Sequence, residues 1–359
     1  MSNWGTTPTP PALLEPGDRP TTYRQAVAEA MELALAADGR VRLFGEGVTD
    51  KGGTYGTTLD LHTRFGGDRV FDVPTAEQLI TGLAVGMSLG GLRPIVVHPR
   101  NDFFLLALDQ LANHAAKWRW MFGGRAGGCP MLMRTVACRG WGSAAQHSQA
   151  LHATLAHFPG LRVAVPATPA DAKGMLLWAA LEADDPVVVL EHKWLWNLVG
   201  DVPAGLLKLP PGAPRVLRAG RDVTIVGISY GVVEALLAAQ TLEREHGVQA
   251  EVIDLRWLSP LDVAPVAASL ARTGRLVVVD TGHVAYGASA EIVSAVAERV
   301  SPSAWKAAPV RIGLPDLPAP ACCEREYYPG PETIVRRVLA MVKRPAQLRR
   351  QIGGCIPAD

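Results

Sequence analysis

Short apolar runs separated by amphipathic segments dominate the chain, and that alternation constrains its fold more than any other feature. Val41–Phe44, Val70–Val73, Pro94–His98, Met131–Arg134, Arg162–Val165 and Val187–Glu191 are strand-length and mostly continuous in apolar character. Strands buried on both faces read this way, whereas a strand with one wet face alternates. Between them, Tyr23–Ala37, Ala76–Leu89, Phe103–Trp120 and Ala170–Ala183 carry apolar residues at helical spacing. The first begins on a Thr22-x-x-Gln25 capping pair and stops at Asp38-Gly39. The last carries Asp171 in its first turn, where the helix dipole favours an acid. The spacing therefore predicts an α/β fold: a mostly parallel sheet with helices on both faces.

At 359 residues the chain exceeds one ordinary core. The pattern lapses near Gly200–Gly220, where Pro203, Pro210, Pro211 and Pro214 cluster. We therefore expect a flexible tail over 1–21, a first α/β domain over 22–204, a linker over 205–214, a second α/β domain over 215–345 and a tail over 346–359. In the second domain, strands are expected at Val223–Ile228, Gln249–Asp254, Arg275–Asp280 and Val310–Ile312. Helices are expected at Gly231–Glu245, Val263–Ala271, Ala288–Val300 and Glu332–Met341.

Lys plus Arg number 35 and Asp plus Glu 34, so no basic field exists to hold nucleic acid or an anionic membrane. No apolar run approaches the roughly 20 residues that span a bilayer. The Pro-rich start lacks a basic cluster followed by an apolar run, so a cytoplasmic location is expected. Five cysteines form no CxxC pair, and no His or Cys stands at metal-finger spacing from Cys322–Cys323. Reduced thiols and no metal ligands are the expectation.

Several residues stand out chemically. Glu77 opens a helix at the carboxyl end of a strand, where α/β sheets bind ligands, although a first-turn acid also serves as a cap. His147, within Gln146-His147-Ser148-Gln149, suits proton transfer or oxyanion stabilisation, or is a surface histidine. Gly227-Ile228-Ser229-Tyr230-Gly231 fits the elbow of serine hydrolases, yet small residues also serve a tight strand-to-helix turn, and no His-Gly-Gly-Gly loop accompanies it. Phe103-Phe104 comes after the strand bearing His98 and is either core or an aromatic platform. Arg134, Arg139 and Trp141 combine anion-binding forks with an aromatic. No Gly-x-Gly-x-x-Gly stands after a strand and no Gly-x-x-x-x-Gly-Lys-Ser/Thr occurs, so the chain lacks its own phosphate cradle.

Taken together, Gly45-Glu46-Gly47-Val48, Val73-Pro74-Thr75-Ala76-Glu77-Gln78, Gly90-Gly91-Leu92-Arg93-Pro94, Asn113-His114-Ala115-Ala116-Lys117, Gln146-His147-Ser148-Gln149, Pro159-Gly160-Leu161, Asp171-Ala172-Lys173-Gly174, Pro186–Glu191 and Asp254-Leu255-Arg256 are a familiar series. From Thr22 to Lys343 the chain resembles the beta subunits of thiamine-diphosphate-dependent 2-oxo acid dehydrogenases, of pyruvate, acetoin and branched-chain type. These are related to the C-terminal part of transketolase. The resemblance implies a pyrimidine-binding domain followed by a transketolase C-terminal-like domain. It implies that Glu77 contacts the aminopyrimidine ring, Phe103 lies beside that ring, Glu46 is the acid near its pocket, and His147 is the active-site histidine. An acid hydrogen-bonded to the ring nitrogen favours the imino tautomer, whose nitrogen can remove the thiazolium proton.

In this family the diphosphate and magnesium are held by a Gly-Asp-Gly motif on an alpha subunit, and no such motif occurs here. The resemblance therefore implies an alpha partner, a second copy of this chain in an alpha-two beta-two assembly, and a lipoyl-bearing acyltransferase. Departures cluster near the substrate. Val97-His98-Pro99-Arg100 replaces the family's usual acid and aromatic, the Cys138–Gly142 loop differs, and Asp280 is followed by His283. His98, Arg100, Arg139, Trp141 and His283 are thus candidates for contacting a larger or polar substrate. The leading expectation is 2-oxo acid decarboxylation with acyl transfer to a lipoyl group. The alternative is a two-component transketolase-like or carboligase enzyme. A non-catalytic subunit and a serine hydrolase using Ser229 remain as readings from other classes.

Overall fold

A computed structural model describes residues 14, 17–140, 142 and 144–342. The expected C-terminal tail and most of the N-terminal one lie outside the described residues. The last residues of the expected N-terminal tail belong to a strand: β1 (Pro20–Thr22) pairs antiparallel with a later strand at Val199–Asp201. Thr22 then caps the helix Tyr23–Ala37. Its hydroxyl accepts from the Gln25 amide, and the Gln25 side chain accepts from the Thr22 amide, closing the expected capping box.

The remaining strands, in chain order, are β2 (Val41–Gly45), β3 (Val70–Asp72), β4 (Arg93–His98), β5 (Leu132–Ala137), β6 (Arg162–Ala164), β7 (Val187–His192), β8 (Val199–Asp201), β9 (Arg215–Arg218), β10 (Val223–Gly227), β11 (Ala250–Asp254), β12 (Trp257–Ser259), β13 (Leu276–His283) and β14 (Val310–Leu314). Seven of them form one sheet in the order β12-β6-β7-β5-β4-β2-β3, and five form another in the order β14-β13-β10-β11-β9. Every pair within β2–β7 is parallel. In the second sheet only the β9 edge runs antiparallel. All residues of β4, β5 and β7 are buried, which fits their largely apolar character, and polar ones among them such as His98, Arg134 and Glu191 sit toward the carboxyl ends of the strands or in pairs.

The two sheets are not independent. β12 lies beyond the Pro-rich stretch, yet it pairs antiparallel with β6, setting Trp257 opposite Ala164. One buried core runs from Phe44, Ile80 and Met133 to Ile228, Leu255 and Val266. An ion pair of 2.8 Å between Arg256 and Asp171 also crosses from one half to the other.

One expected element differs in form. Phe103–Trp120, read as a single helix, is a 3-10 turn at Phe103–Ala107, a π-turn at Asp109–Ala115 and a short α-turn at Trp118–Met121. The widened turn sends the Ala116 amide back to the Leu111 carbonyl at 2.8 Å. It also presses the Ala116 carbonyl against Gly160, where a Cβ would lie 2.0 Å from the oxygen. Apolar periodicity does not register such a bulge.

Candidate active site

The parallel strands of the first sheet end on one edge, and the chemically distinctive residues gather there. Gly45 closes β2 at φ +152°, where a Cβ would lie 2.2 Å from the Val97 carbonyl oxygen. Only glycine lets the chain pass β4 this closely. The next residue, Glu46, donates its amide to that same Val97 carbonyl at 3.2 Å. Glu77 is the first residue of the helix Glu77–Leu89 and is 6% exposed. Burial, reinforced by the neighbouring Glu77 charge, pushes the Glu46 carboxyl up to about 7. Glu46 Oε1 is buried and has no protein partner. Burial and the neighbouring Glu77 charge thus both favour the protonated form of Glu46 over its ordinary ionised one.

Phe103 and Phe104 divide their duties. Phe104 is fully buried and packs edge-on against His98 at 5.0 Å, whereas Phe103 is 37% exposed and meets the His147 ring edge-on at 5.3 Å. His147 sits on the turn Ala145–His147, and the chain after it is pinned from below by two residues that sequence reasoning missed. Asn101, fully buried, donates from Nδ2 to the Gln149 carbonyl and accepts from the Leu151 amide, each at 2.9 Å. Asp102 accepts the Gln149 amide at 2.9 Å. The available signal was a polar Asn-Asp pair just past the carboxyl end of a buried strand.

The five substrate candidates are dispersed. His98 lies buried beneath the helix Glu77–Leu89, its Nε2 3.3 Å from the Thr81 hydroxyl, and burial pulls its imidazole down to about 3, so it stays neutral. Arg100 is half-buried, 5.8 Å above the Tyr55 ring and 3.7 Å from Cys138 Sγ. Trp141 lies outside the described residues. His283 lines a cavity of about 510 Å³ with Gln146, Gln149, Asp316 and Tyr327. Its Nδ1 stands 2.7 Å from the Pro315 carbonyl, which fixes the proton on that nitrogen and leaves Nε2 as the other ring site.

Arg139 is 3% exposed and lies in a cage. Its guanidinium pairs with Glu234 and sits 4.7 Å from the Trp194 ring, 4.9 Å from Tyr230 and 5.2 Å from Tyr328. Burial pushes the Glu234 carboxyl up, against the pull of Arg139. The charge of Arg139 is thus compensated within the protein, by residues from both halves of the chain. Arg134, read with the loop after it, belongs to β5 and pairs with Glu191 at 2.8 Å. A second buried link was half visible in the sequence: His152 Nε2 meets Asp280 Oδ1 at 2.7 Å, both fully enclosed. Burial alone would raise the Asp280 carboxyl, but the close His152 charge and the Gly282 amide hold it below its usual range. Ser229 does sit on the strand-to-helix turn at φ +53°, but it is fully buried and its Oγ has no partner. A serine nucleophile needs a base at hydrogen-bond reach, so the hydrolase reading fails.

Glu46, with its raised carboxyl and unpartnered Oε1, buried Glu77 and half-exposed Phe103 are the residues that could hold a flat ring carrying donors and acceptors. Among the described residues, no group of three His, Cys, Asp or Glu is placed to hold a metal.

Residues 19–197 match the family profile of the transketolase pyrimidine-binding domain and residues 212–334 that of the transketolase C-terminal domain. A solved structure titled split gene transketolase, inactive beta4 tetramer, superposes with a TM-score of 0.70 at 23% identity, over 90% of this chain and 99% of that one. The fold is therefore transketolase-like. The acetoin:2,6-dichlorophenolindophenol oxidoreductase subunit beta of Bacillus subtilis is 38% identical, over 91% of this chain and 99% of its own. The pyruvate dehydrogenase E1 component subunit beta of Acholeplasma laidlawii is 36% identical over 90% and 98%, and the 3-methyl-2-oxobutanoate dehydrogenase subunit beta of Mycobacterium tuberculosis 37% over 90% and 92%. Within the transketolase-like class, the chain belongs to the thiamine-diphosphate-dependent family of 2-oxo acid dehydrogenase beta subunits.

Proposed function

We propose that this chain supplies the pyrimidine-facing half of a thiamine-diphosphate site shared with an alpha subunit. Together they decarboxylate a 2-oxo acid and pass the acyl unit to a lipoyl carrier. The observation that carries the reading is the pair of acids at the sheet edge, with Glu46 raised to about 7 beside buried Glu77. When bound, thiamine diphosphate supplies a thiazolium that accepts electrons from the substrate. Glu77 would hold the pyrimidine ring nitrogen, Glu46 would supply a second carboxyl beside it, and Phe103 would flank the ring. His147, steadied by Asn101 and Asp102, moves a proton at the substrate oxygen during acyl transfer. Arg100 and His283 stand on the substrate side, while Arg139 positions the His147 loop.

Diphosphate and magnesium fall to the partner, since the chain has no Gly-Asp-Gly motif. The working assembly is alpha-two beta-two, located in the cytoplasm, and serves a lipoyl-bearing acyltransferase. Division of the chain into domains near residues 205–214 belongs to this reading. Co-expression with the neighbouring candidate alpha chain, plus thiamine diphosphate and magnesium, tests it: carbon dioxide release from a 2-oxo acid, coupled to an artificial electron acceptor and to acylation of a lipoyl domain, is expected. Product formed only when an aldehyde or sugar phosphate is supplied would move the assignment to a carboligase or transketolase. Glu77→Gln should abolish most turnover while leaving assembly intact, and unchanged turnover discards its role.

A further inference from the structure

Two adjacent thiols that the proposed chemistry does not use stand between Ala319 and Tyr327, both of which line the cavity beside His283. Cys322 and Cys323 are exposed and reduced, and the neighbouring Cys322 thiol pushes that of Cys323 above its ordinary value. Cys323 is the residue that turns the chain into the short helix Glu324–Tyr327, at φ +61°. That helix and its end form a brace. Buried Glu324 accepts the Gly142 amide through Oε2 at 3.0 Å, on the loop that leads to His147. The Tyr327 hydroxyl donates to the Leu317 carbonyl at 2.6 Å, fixing the cavity wall. Tyr328 lies over the Arg139 guanidinium. The dithiol therefore stands at the start of a segment that holds the loop through two contacts, at Gly142 and at Arg139.

We propose that Cys322 and Cys323 form a reversible two-electron thiol switch, oxidised by low-molecular-weight disulfides, that releases the His147 loop. In the first step one cysteine thiolate attacks a sulfur of the small disulfide, forming a mixed disulfide and expelling one small thiolate. The second cysteine thiolate then attacks the protein sulfur of that mixed disulfide, forming the Cys322–Cys323 bond and expelling the second small thiolate. The two protons lost by the cysteines end on the two released thiols, so the cysteines are oxidised and the small disulfide reduced. Bridged cysteines usually hold their Cα atoms about 4.4–6.8 Å apart, whereas neighbours across a trans peptide are about 3.8 Å apart. Ring closure must therefore distort the Cys322–Cys323 peptide, and with it the start of the segment carrying Glu324. Such strained, exposed disulfides are easily reduced, as a reversible switch requires.

The inference rests on the proposed function only for its activity readout. The purified complex is incubated with oxidised glutathione, then digested, weighed by mass spectrometry and probed by limited proteolysis. The peptide spanning Cys322–Cys323 should lose the mass of two hydrogen atoms, and cleavage within residues 139–147 should accelerate. Turnover should fall about tenfold, the size of one lost hydrogen bond to a charged group, and return with dithiothreitol. Cys322→Ser and Cys323→Ser should keep basal turnover and resist the oxidant. A stable glutathione adduct with no internal bridge, or a loss of turnover in both serine variants as large as the parent's, overturns the switch. If no 2-oxo acid is turned over at all, the functional reading fails, while the mass and proteolysis results still decide the switch.

Discussion

Asn101→Ala removes a side chain that touches no substrate, and it should nonetheless cost most of the activity. Its two shortest side-chain hydrogen bonds, of 2.9 Å each, disappear, one to the Gln149 carbonyl and one from the Leu151 amide, and so does a longer one of 3.3 Å to Asp102 Oδ2. A neutral hydrogen bond contributes about 1 kcal/mol and a buried partner left unsatisfied costs about 1–3 kcal/mol, so the two together come to about 3 kcal/mol. Asp102 still holds the Gln149 amide, which limits the damage to this segment. A loss of about 3 kcal/mol changes the ratio of seated to unseated loop by a factor of about 150. Hydrogen exchange at the Leu151 amide should accelerate by about 10–100-fold, and turnover of the complex should fall by about tenfold or more. Unchanged Leu151 protection together with turnover within about twofold of the parent would refute the claim that Asn101 seats the His147 loop.

Further outcomes are expected from buried charges and rings. His98 resists protonation down to about 3 against an ordinary 6.5, so between those values the unfolded chain binds a proton that the folded one does not. Stability should therefore fall as pH drops through that window, by up to about 1.4 kcal/mol per pH unit, and a His98→Asn variant should show a flatter urea-midpoint profile over the same range. Arg139→Met strands Glu234 in the interior and should cost about 3–5 kcal/mol, whereas the double change Arg139→Met with Glu234→Met should recover most of that loss. A double variant no more stable than the single one, measured by urea unfolding, counts against the cage as an ion-pair site.

What the sequence reveals depends on how local each signal is. The helix Tyr23–Ala37 matches its expected span because capping and periodicity are written within a few residues. The strands of the parallel sheet were legible because burial on both faces leaves a continuous apolar run. Glu77 could be placed at a helix start and a strand end together, the combination that marks a ligand edge. The turn at Asp109–Ala115 was not legible, since apolar periodicity does not distinguish a widened turn from a regular one, and its end packs against Gly160, far along the chain. β12 was missed for the same reason: three residues become a strand only because β6 offers an open edge. Phe103 and Phe104 are identical letters, and only the packing of His98 behind one of them tells which faces outward. The Arg139 cage draws Trp194, Tyr230, Glu234 and Tyr328 from separate stretches of chain, and no spacing rule brings those together.

The β12–β6 pairing also sets an order of events during synthesis. When the ribosome has delivered residues up to Asp201, every parallel strand of the first sheet exists, yet β6 still presents a bare edge. That edge waits until Trp257–Ser259 emerge, more than fifty residues later. Unpaired edges recruit other chains, so the nascent protein passes through an interval of heightened self-association. Expressed alone, the first half should collect in inclusion bodies, and supplying the second half as a separate polypeptide should rescue it by strand complementation.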